Sequence, residues 1–178
     1  MTDPSSNASS SNDLSPSALS DTDRARLLDA VAVSRRAVSH GNHPFGAVLV
    51  DASGAVVLEA ENTVNTDVDC TGHAETNLVR KAWKAASGAG LRDHTLYTSC
   101  EPCAMCSGAI YWSGIGRVVY ALPESELLVL TGDNPENPTM SLDCRDVLSA
   151  GQRGVDVAGP ASGDLFDAAR APHEGFWV

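Results

Sequence analysis

The chain has 178 residues, a formal net charge of −11 at neutral pH and 43% hydrophobic side chains. That length suits one domain with an adequate core, and no apolar run approaches a membrane span, nor does a basic-then-apolar leader open the sequence. Residues 21–178 hold 21 acidic against 12 basic side chains, so the acidity is not confined to a tail. A polyanionic partner such as tRNA or DNA draws much of its affinity from phosphate neutralisation, which makes nucleic acid a poor expectation and a small neutral substrate a better one. Five cysteines, an odd number, speak against a disulfide framework and for a reducing, cytoplasmic location.

Residues 1–20 contain the run Ser5-Ser-Asn-Ala-Ser-Ser-Ser-Asn12 and almost nothing to bury; they are expected to be disordered, leaving 21–178 as the folded domain. Asp21 or Thr22 can cap a first helix ending near residue 40, with Leu27, Leu28, Val31 and Val38 on one side. Gly46–Val50 and Ala55–Leu58 flank Asp51-Ala-Ser-Gly54, which predicts a hairpin. Thr71 or Gly72 opens a second helix running to Gly88, and Asp93–Thr98 reads as a third strand. A third helix begins at Pro102 and ends at Trp112; Arg117–Ala121 is the fourth strand. Beyond a polar loop from Thr131 to Met140, the pattern predicts a helix over 141–150, a short strand over 155–157 and a last helix over 163–171. This alternation predicts a three-layer α/β/α sandwich around a central mixed five-stranded sheet, with right-handed crossovers between the later strands.

Two short clusters carry the chemistry: His73-Ala-Glu75 and Pro102-Cys103-Ala-Met-Cys106. Either alone is weak, since His-x-Glu arises often by chance and Cys-x-x-Cys also serves redox and structural zinc sites. Together they offer zinc one imidazole and two thiolates, and leave a fourth tetrahedral position for water, as catalytic zinc sites do. Glu75 stands two residues from the histidine and can move the protons of that water. Cys100-Glu-Pro-Cys103 is a competing pair. Proline favours the first helical position, so Cys103 and Cys106 fall early in the helix, three apart and on one side, with Cys100 ahead of it at a strand end. Cys100 and Cys144 then read as small buried thiols, and Cys70 as a weaker candidate ligand near His73. If the two helices start side by side, their positive dipole ends both face the metal and favour thiolates.

Aromatic residues are few, which makes their placement informative. Phe45, ahead of the first strand, and Trp112, ending the cysteine helix, are candidate walls for a flat heterocycle, against the alternative of core packing. Phe176 and Trp177 end the sequence in apolar groups that need cover; they either close a site, their own or a partner's, or dock on the core. His43, beside Pro44, is a further candidate for the pocket, whereas His40 and His94 read as surface or capping residues.

His-x-Glu followed by Pro-Cys-x-x-Cys is the signature of zinc-dependent nucleobase deaminases, and residues 21–178 resemble the cytidine deaminase-like superfamily, in particular its guanine deaminase and tRNA-adenosine-deaminase-like branch. Leu96–Trp112 is similar to the guanine deaminase form of the cysteine motif, Pro44-Phe-Gly-Ala-Val48 to the branch's first strand, and Glu61-Asn62 to the asparagine ending its second. The resemblance implies zinc held by His73, Cys103 and Cys106, with Glu75 as proton carrier. It implies Asn62 and the Ala74 backbone N–H as contacts to the base, and a homodimer. The implied reaction is hydrolytic deamination of a free base or related heterocycle, guanine first and cytosine or a nucleoside second. Editing of adenosine in tRNA is an alternative of another class, and a non-enzymatic zinc domain, which would leave Glu75 without a purpose, a third. Two departures limit the likeness. Guanine deaminases of this type use a second acid after the fourth strand, for which Asp133 is the nearest positional match and Glu124 stands behind it. Editing relatives carry basic residues in that loop, and here no Lys or Arg occurs between Ala121 and Asp143.

Overall fold

In the computed structural model, which describes residues 19–178, helix α1 runs from Asp21 to Ser39. Its N-cap is Ser20, one residue earlier than expected. Ser20 Oγ accepts the Asp23 N–H at 3.1 Å while the Asp23 carboxylate accepts the Ser20 N–H at 3.1 Å, a reciprocal capping box with Asp in place of the usual Glu or Gln. Leu19 already packs against the core; the rest of the segment expected to be disordered, residues 1–18, lies outside the described residues.

The expected hairpin follows as β1 (Gly46–Val50) and β2 (Val56–Glu61). After it come a single helical turn α2 (Val64–Asp67), α3 (Ala74–Ala85), β3 (Thr95–Cys100), α4 (Ala104–Ser113) and β4 (Arg117–Leu122). The chain continues through α5 (Glu124–Thr131), α6 (Cys144–Ser149), β5 (Asp156–Ala158), α7 (Asp164–Arg170) and a 3-10 turn at Ala171–His173. Neither α2 nor α5 is foreshadowed by the sequence. α5 buries only Leu127 and Thr131, and its run Leu127-Leu-Val-Leu130 has no polar face to give a helical period.

The strands lie in the order β2-β1-β3-β4-β5; β1 is antiparallel to both β2 and β3, and the remaining pairs are parallel. Alternation along β1 sorts the core into two layers. Val48 and Val50 face Leu27 and Val31 of α1 and Leu165 and Ala169 of α7. Ala47 and Leu49 face Leu78 and Ala82 of α3 and Ile110 of α4. This is the α/β/α sandwich with a mixed five-stranded sheet. At Gly46 a Cβ would run into the Ala30 and Ser34 backbone, so only glycine lets α1 press this closely on the start of β1.

Strand direction decides where a site can form. Gly46 pairs with Glu61, Ala47 with Thr98, and Cys100 with Leu122. The start of β1, the end of β2 and the ends of β3 and β4 therefore meet at one edge of the sheet, the edge at which α3 and α4 begin. Crevices beyond the carboxyl ends of parallel strands are the usual ligand sites of such sheets.

On the opposite side of the sheet from α3, Asp23 is buried and ties α1 to β3 and β4. Arg117 donates to both of its oxygens, at 2.6 and 3.2 Å, and the Tyr97 hydroxyl to one at 2.9 Å. Burial alone would raise the Asp23 pKa, but the hydrogen bonds from Arg117, Ser20 and Tyr97 outweigh it and hold the carboxyl well below the usual range. A depressed folded pKa contributes stability that is complete above the unfolded value and is lost as pH falls through the folded one. Asp23→Asn should therefore cost about 2 kcal/mol at pH 7 in urea unfolding, and the gap to wild type should narrow steadily below about pH 4.

Candidate active site

Both helices at this edge begin without a capping side chain. His73 is the N-cap of α3 and Cys103 the N-cap of α4; each has extended backbone angles, and neither side chain bonds its own helix. The expectation that Pro102 takes the first helical position, with Cys103 inside the helix, is corrected by two residues: the helix starts at Ala104, with Cys103 as its N-cap. The choice of cysteines survives the shift, because Cys103 at the cap and Cys106 one turn on still share a side, while Cys100 ends β3 and bonds His173 instead.

His73 Nδ1 lies 3.7 Å from Cys103 Sγ and 3.6 Å from Cys106 Sγ, and the three ligand atoms are all within 4.8 Å of one another. A tetrahedral zinc with Zn–S near 2.3 Å and Zn–N near 2.0 Å needs nitrogen–sulfur edges of about 3.5 Å, so the donor set fits zinc in kind and in spacing. Contact with Cys106 pulls the Cys103 pKa down to about 4, against the effect of burial and with help from His73. The same contact and complete burial push Cys106 up, and the thiol beside it raises His73. One cysteine is thus held as a thiolate ahead of its neighbour.

Glu75, on the first turn of α3, is buried beside this cluster. Its Oε1 accepts the Thr98 hydroxyl at 2.8 Å, and its Oε2 lies 3.4 Å from Cys106 Sγ. Burial foremost, then the charge of Cys103, raises its pKa. A carboxyl oriented by the Thr98 hydroxyl and held above its ordinary pKa is suited to taking up and releasing protons.

A cavity of about 440 Å³ opens over His73 and Cys103, and its walls include Phe45, Asn62, His43 and Glu124. Asn62 is buried and directed by its own turn, its Oδ1 accepting the Val64 N–H at 3.0 Å, which leaves the amide N–H groups free for the cavity. Ala74 is the first residue of α3, so its N–H has no intrahelical acceptor. The loop after α5 supplies the far wall through residues 135–140, with Glu136 bonded to His43 Nε2 at 3.2 Å. Cys70 lines the same cavity but is exposed and outside the three-donor cluster.

Several sequence candidates are not brought there. Trp112 is 81% exposed at the far end of α4, six residues beyond Cys106, and does not line the cavity. Asp133 is exposed on the loop and also points elsewhere; the acids that reach the cavity are Glu124, at the start of α5, and Glu136. Phe176 and Trp177 are not among the lining residues either, since Trp177 is buried behind Phe45 and His43. Sequence reading missed Glu136 and Glu101. The Glu101 carboxylate accepts the Glu124 N–H at 3.0 Å and the Cys144 N–H at 2.9 Å, tying the starts of α5 and α6 to the turn that carries Cys103. Glu101, Asp143 and Cys144 form a second group of possible donors, but both Glu101 oxygens are already engaged by backbone N–H groups.

A cluster of two cysteines and a histidine spaced for a metal, at the carboxyl edge of a mixed sheet with a buried acid beside it, places the molecule among zinc-dependent hydrolytic deaminases. The chain matches the family model described as the cytidine and deoxycytidylate deaminase zinc-binding region over residues 20–122, and it belongs to that family. It is 43% identical over 164 residues to a probable cytosine deaminase of Schizosaccharomyces pombe, covering 92% of this chain and 98% of the relative. A guanine deaminase of Bacillus subtilis is 46% identical over 101 residues, 56% of this chain and 64% of that protein. Among solved structures, the guanine deaminase of Nitrosomonas europaea superposes with a TM-score of 0.70 at 27% identity, covering 90% of this chain and 86% of the other.

The donor set makes a direct prediction. Protein with Cys103→Ala or Cys106→Ala should purify with well under half a zinc per chain by atomic absorption, while Cys100→Ala and Cys144→Ala should keep about one. Full zinc in Cys103→Ala with loss in Cys100→Ala would reverse the choice of pair.

Proposed function

We propose that this protein hydrolytically deaminates a free aminated heterocycle, guanine first, and releases ammonia. The observation that carries the reading is the placement of Glu75 against the His73/Cys103/Cys106 cluster, of which His73 and Cys103 line a cavity sized for a small molecule. His73, Cys103 and Cys106 would hold zinc, which when bound lowers the pKa of a water from about 15.7 towards 7.

The chain's own residues supply the rest. Glu75, oriented by Thr98, would accept one proton of the attacking water and deliver it to a ring nitrogen, then take the remaining proton of the added hydroxyl, as the carbonyl forms, and give it to the amine, which leaves as ammonia. Asn62 offers its amide N–H groups to the ring, and the Ala74 N–H, at the positive end of α3, supports the carbonyl or ring nitrogen beside the reacting carbon. Phe45 gives an apolar wall for the flat ring.

The cavity lining contains no Lys or Arg but two acids, Glu124 and Glu136. That leaves a phosphate backbone without a partner, which speaks against an editing enzyme acting on tRNA. It suits a ligand rich in N–H donors, and guanine carries more of them than cytosine. Cytosine remains the second reading because the S. pombe relative aligns along nearly the whole of both chains. Five free cysteines suit a reducing cytoplasm. Met105 and Trp112, seven apart and exposed on one side of α4, suit a homodimer, which sedimentation at micromolar concentration would detect.

The test is ammonia release by zinc-loaded protein across guanine, cytosine, adenine, their nucleosides, pterins and aminotriazines. Guanine should give the highest kcat/KM, and Glu124→Gln should raise its KM by about fivefold, the loss of one carboxyl hydrogen bond. No ammonia from any compound would overturn the reading, and tight, salt-sensitive tRNA binding would replace it with the editing alternative.

A further inference from the structure

Five rings from two distant stretches of chain pack together behind the cavity. His43 and Phe45 come from the segment entering β1; His173, Phe176 and Trp177 come from the segment after α7. Trp177 is the centre of the group, with ring centroids 5.2 Å from His43, 6.1 Å from Phe45, 4.9 Å from Phe176 and 6.1 Å from His173, the last stacked at 19°. The His173 ring in turn sits 5.2 Å from Phe45.

Polar bonds fix this assembly in register. The Trp177 indole N–H donates to His173 Nδ1 at 3.3 Å. An indole nitrogen only donates, so His173 carries its proton on Nε2, which lies 3.3 Å from the buried Cys100 sulfur. Burial pushes the His173 pKa down to about 4, in keeping with a neutral ring there. On its other side the Trp177 carbonyl accepts the Asn134 side-chain N–H at 3.0 Å. Asn134 opens the loop whose residues 135–140 line the cavity, and that loop reaches back to His43 through Glu136.

Trp177 therefore touches, or bonds to, both halves of the cavity wall without lining the cavity. We propose that Trp177 is a positioning residue: it holds the His43/Phe45 wall and the 134–140 loop in place from behind, so that the segment His173–Trp177 is a buttress and not a lid. A lid would lie over the opening and move with each turnover. A buttress instead keeps the walls at one spacing and contributes to binding in ground state and transition state alike. The kinetic part of the proposal rests on the deaminase reading above; the structural part does not.

The experiment compares full-length, zinc-loaded wild type with Trp177→Ala, Trp177→Phe and Asn134→Ala. Amide hydrogen exchange is followed by mass spectrometry, and KM and kcat for ammonia release are measured on guanine and cytosine. In Trp177→Ala, exchange should quicken about tenfold or more over residues 134–140 and around Phe45, with α4 and zinc content unchanged. KM should rise about tenfold with kcat within about threefold, the pattern of lost uniform binding. Trp177→Phe should recover most of the protection, and Asn134→Ala should loosen the loop alone. Unchanged loop protection in both Trp177→Ala and Asn134→Ala overturns the proposal, as does a fall in kcat at constant KM, which a lid would give. If Trp177→Ala does not fold, Asn134→Ala decides. If wild type deaminates neither base, the catalytic reading fails, and the exchange data alone decide for or against the buttress.

Discussion

Two helices that start at the same point with metal-ligand side chains where caps would normally be are the constraint on which the site depends. A Ser, Thr, Asp or Asn at each N-cap would stabilise α3 and α4 by about 1 kcal/mol apiece. His73 and Cys103 occupy those positions instead and bond no helix N–H. The two uncapped, positively polarised ends thus point at one place, and zinc held there would offset their cost. The sheet order makes this possible: β1 reversed against β3 puts Phe45, Asn62, Cys100 and Leu122 at one edge, and the helices that follow begin there.

The same region concentrates negative charge. Glu75, Glu101, Glu124 and the two thiols lie close together, and burial together with the charges of Cys103, Glu101 and Glu75 pushes Glu124 up to about 8. Such a cluster is stable only when a cation or shared protons compensate it. Glu101 is held differently, by two backbone N–H groups, and so works as a brace between α4's entry turn and the starts of α5 and α6. Three acids within one small volume thus have three distinct surroundings: Glu75 against the metal ligands, Glu101 in the frame, Glu124 facing the cavity.

How much of this was legible in the sequence follows from which residues act through neighbours along the chain. His73, Glu75, Cys103 and Cys106 sit in two short motifs whose spacing places them near helix starts, whereas Asn62, one residue past the end of β2, is suggested only by the resemblance to the deaminase branch. The same alternation of strand and helix gave the sandwich. α5 could not be read, because its apolar run has no polar face; of the two acids the sequence offers after the fourth strand, Glu124 at the start of α5 lines the cavity and Asp133 does not. Glu136 reaches the cavity only because a loop folds back onto His43. Trp112 is a candidate wall in the sequence because aromatics are few, yet six residues of helix carry it about 9 Å along the axis from Cys106. The role of Trp177 depends on contacts with residues more than a hundred positions earlier, which no local pattern encodes.

The central claim is that Glu75 carries the protons while other residues hold the metal, and Glu75→Gln separates those roles. The substitution keeps the shape and the Thr98 hydrogen bond but removes the ability to accept a proton. Zinc content and steady-state ammonia release on the best substrate of the panel should be measured on one preparation. The account predicts about one zinc per chain with kcat lowered by about a thousandfold or more. Wild-type turnover by zinc-replete Glu75→Gln protein would contradict it.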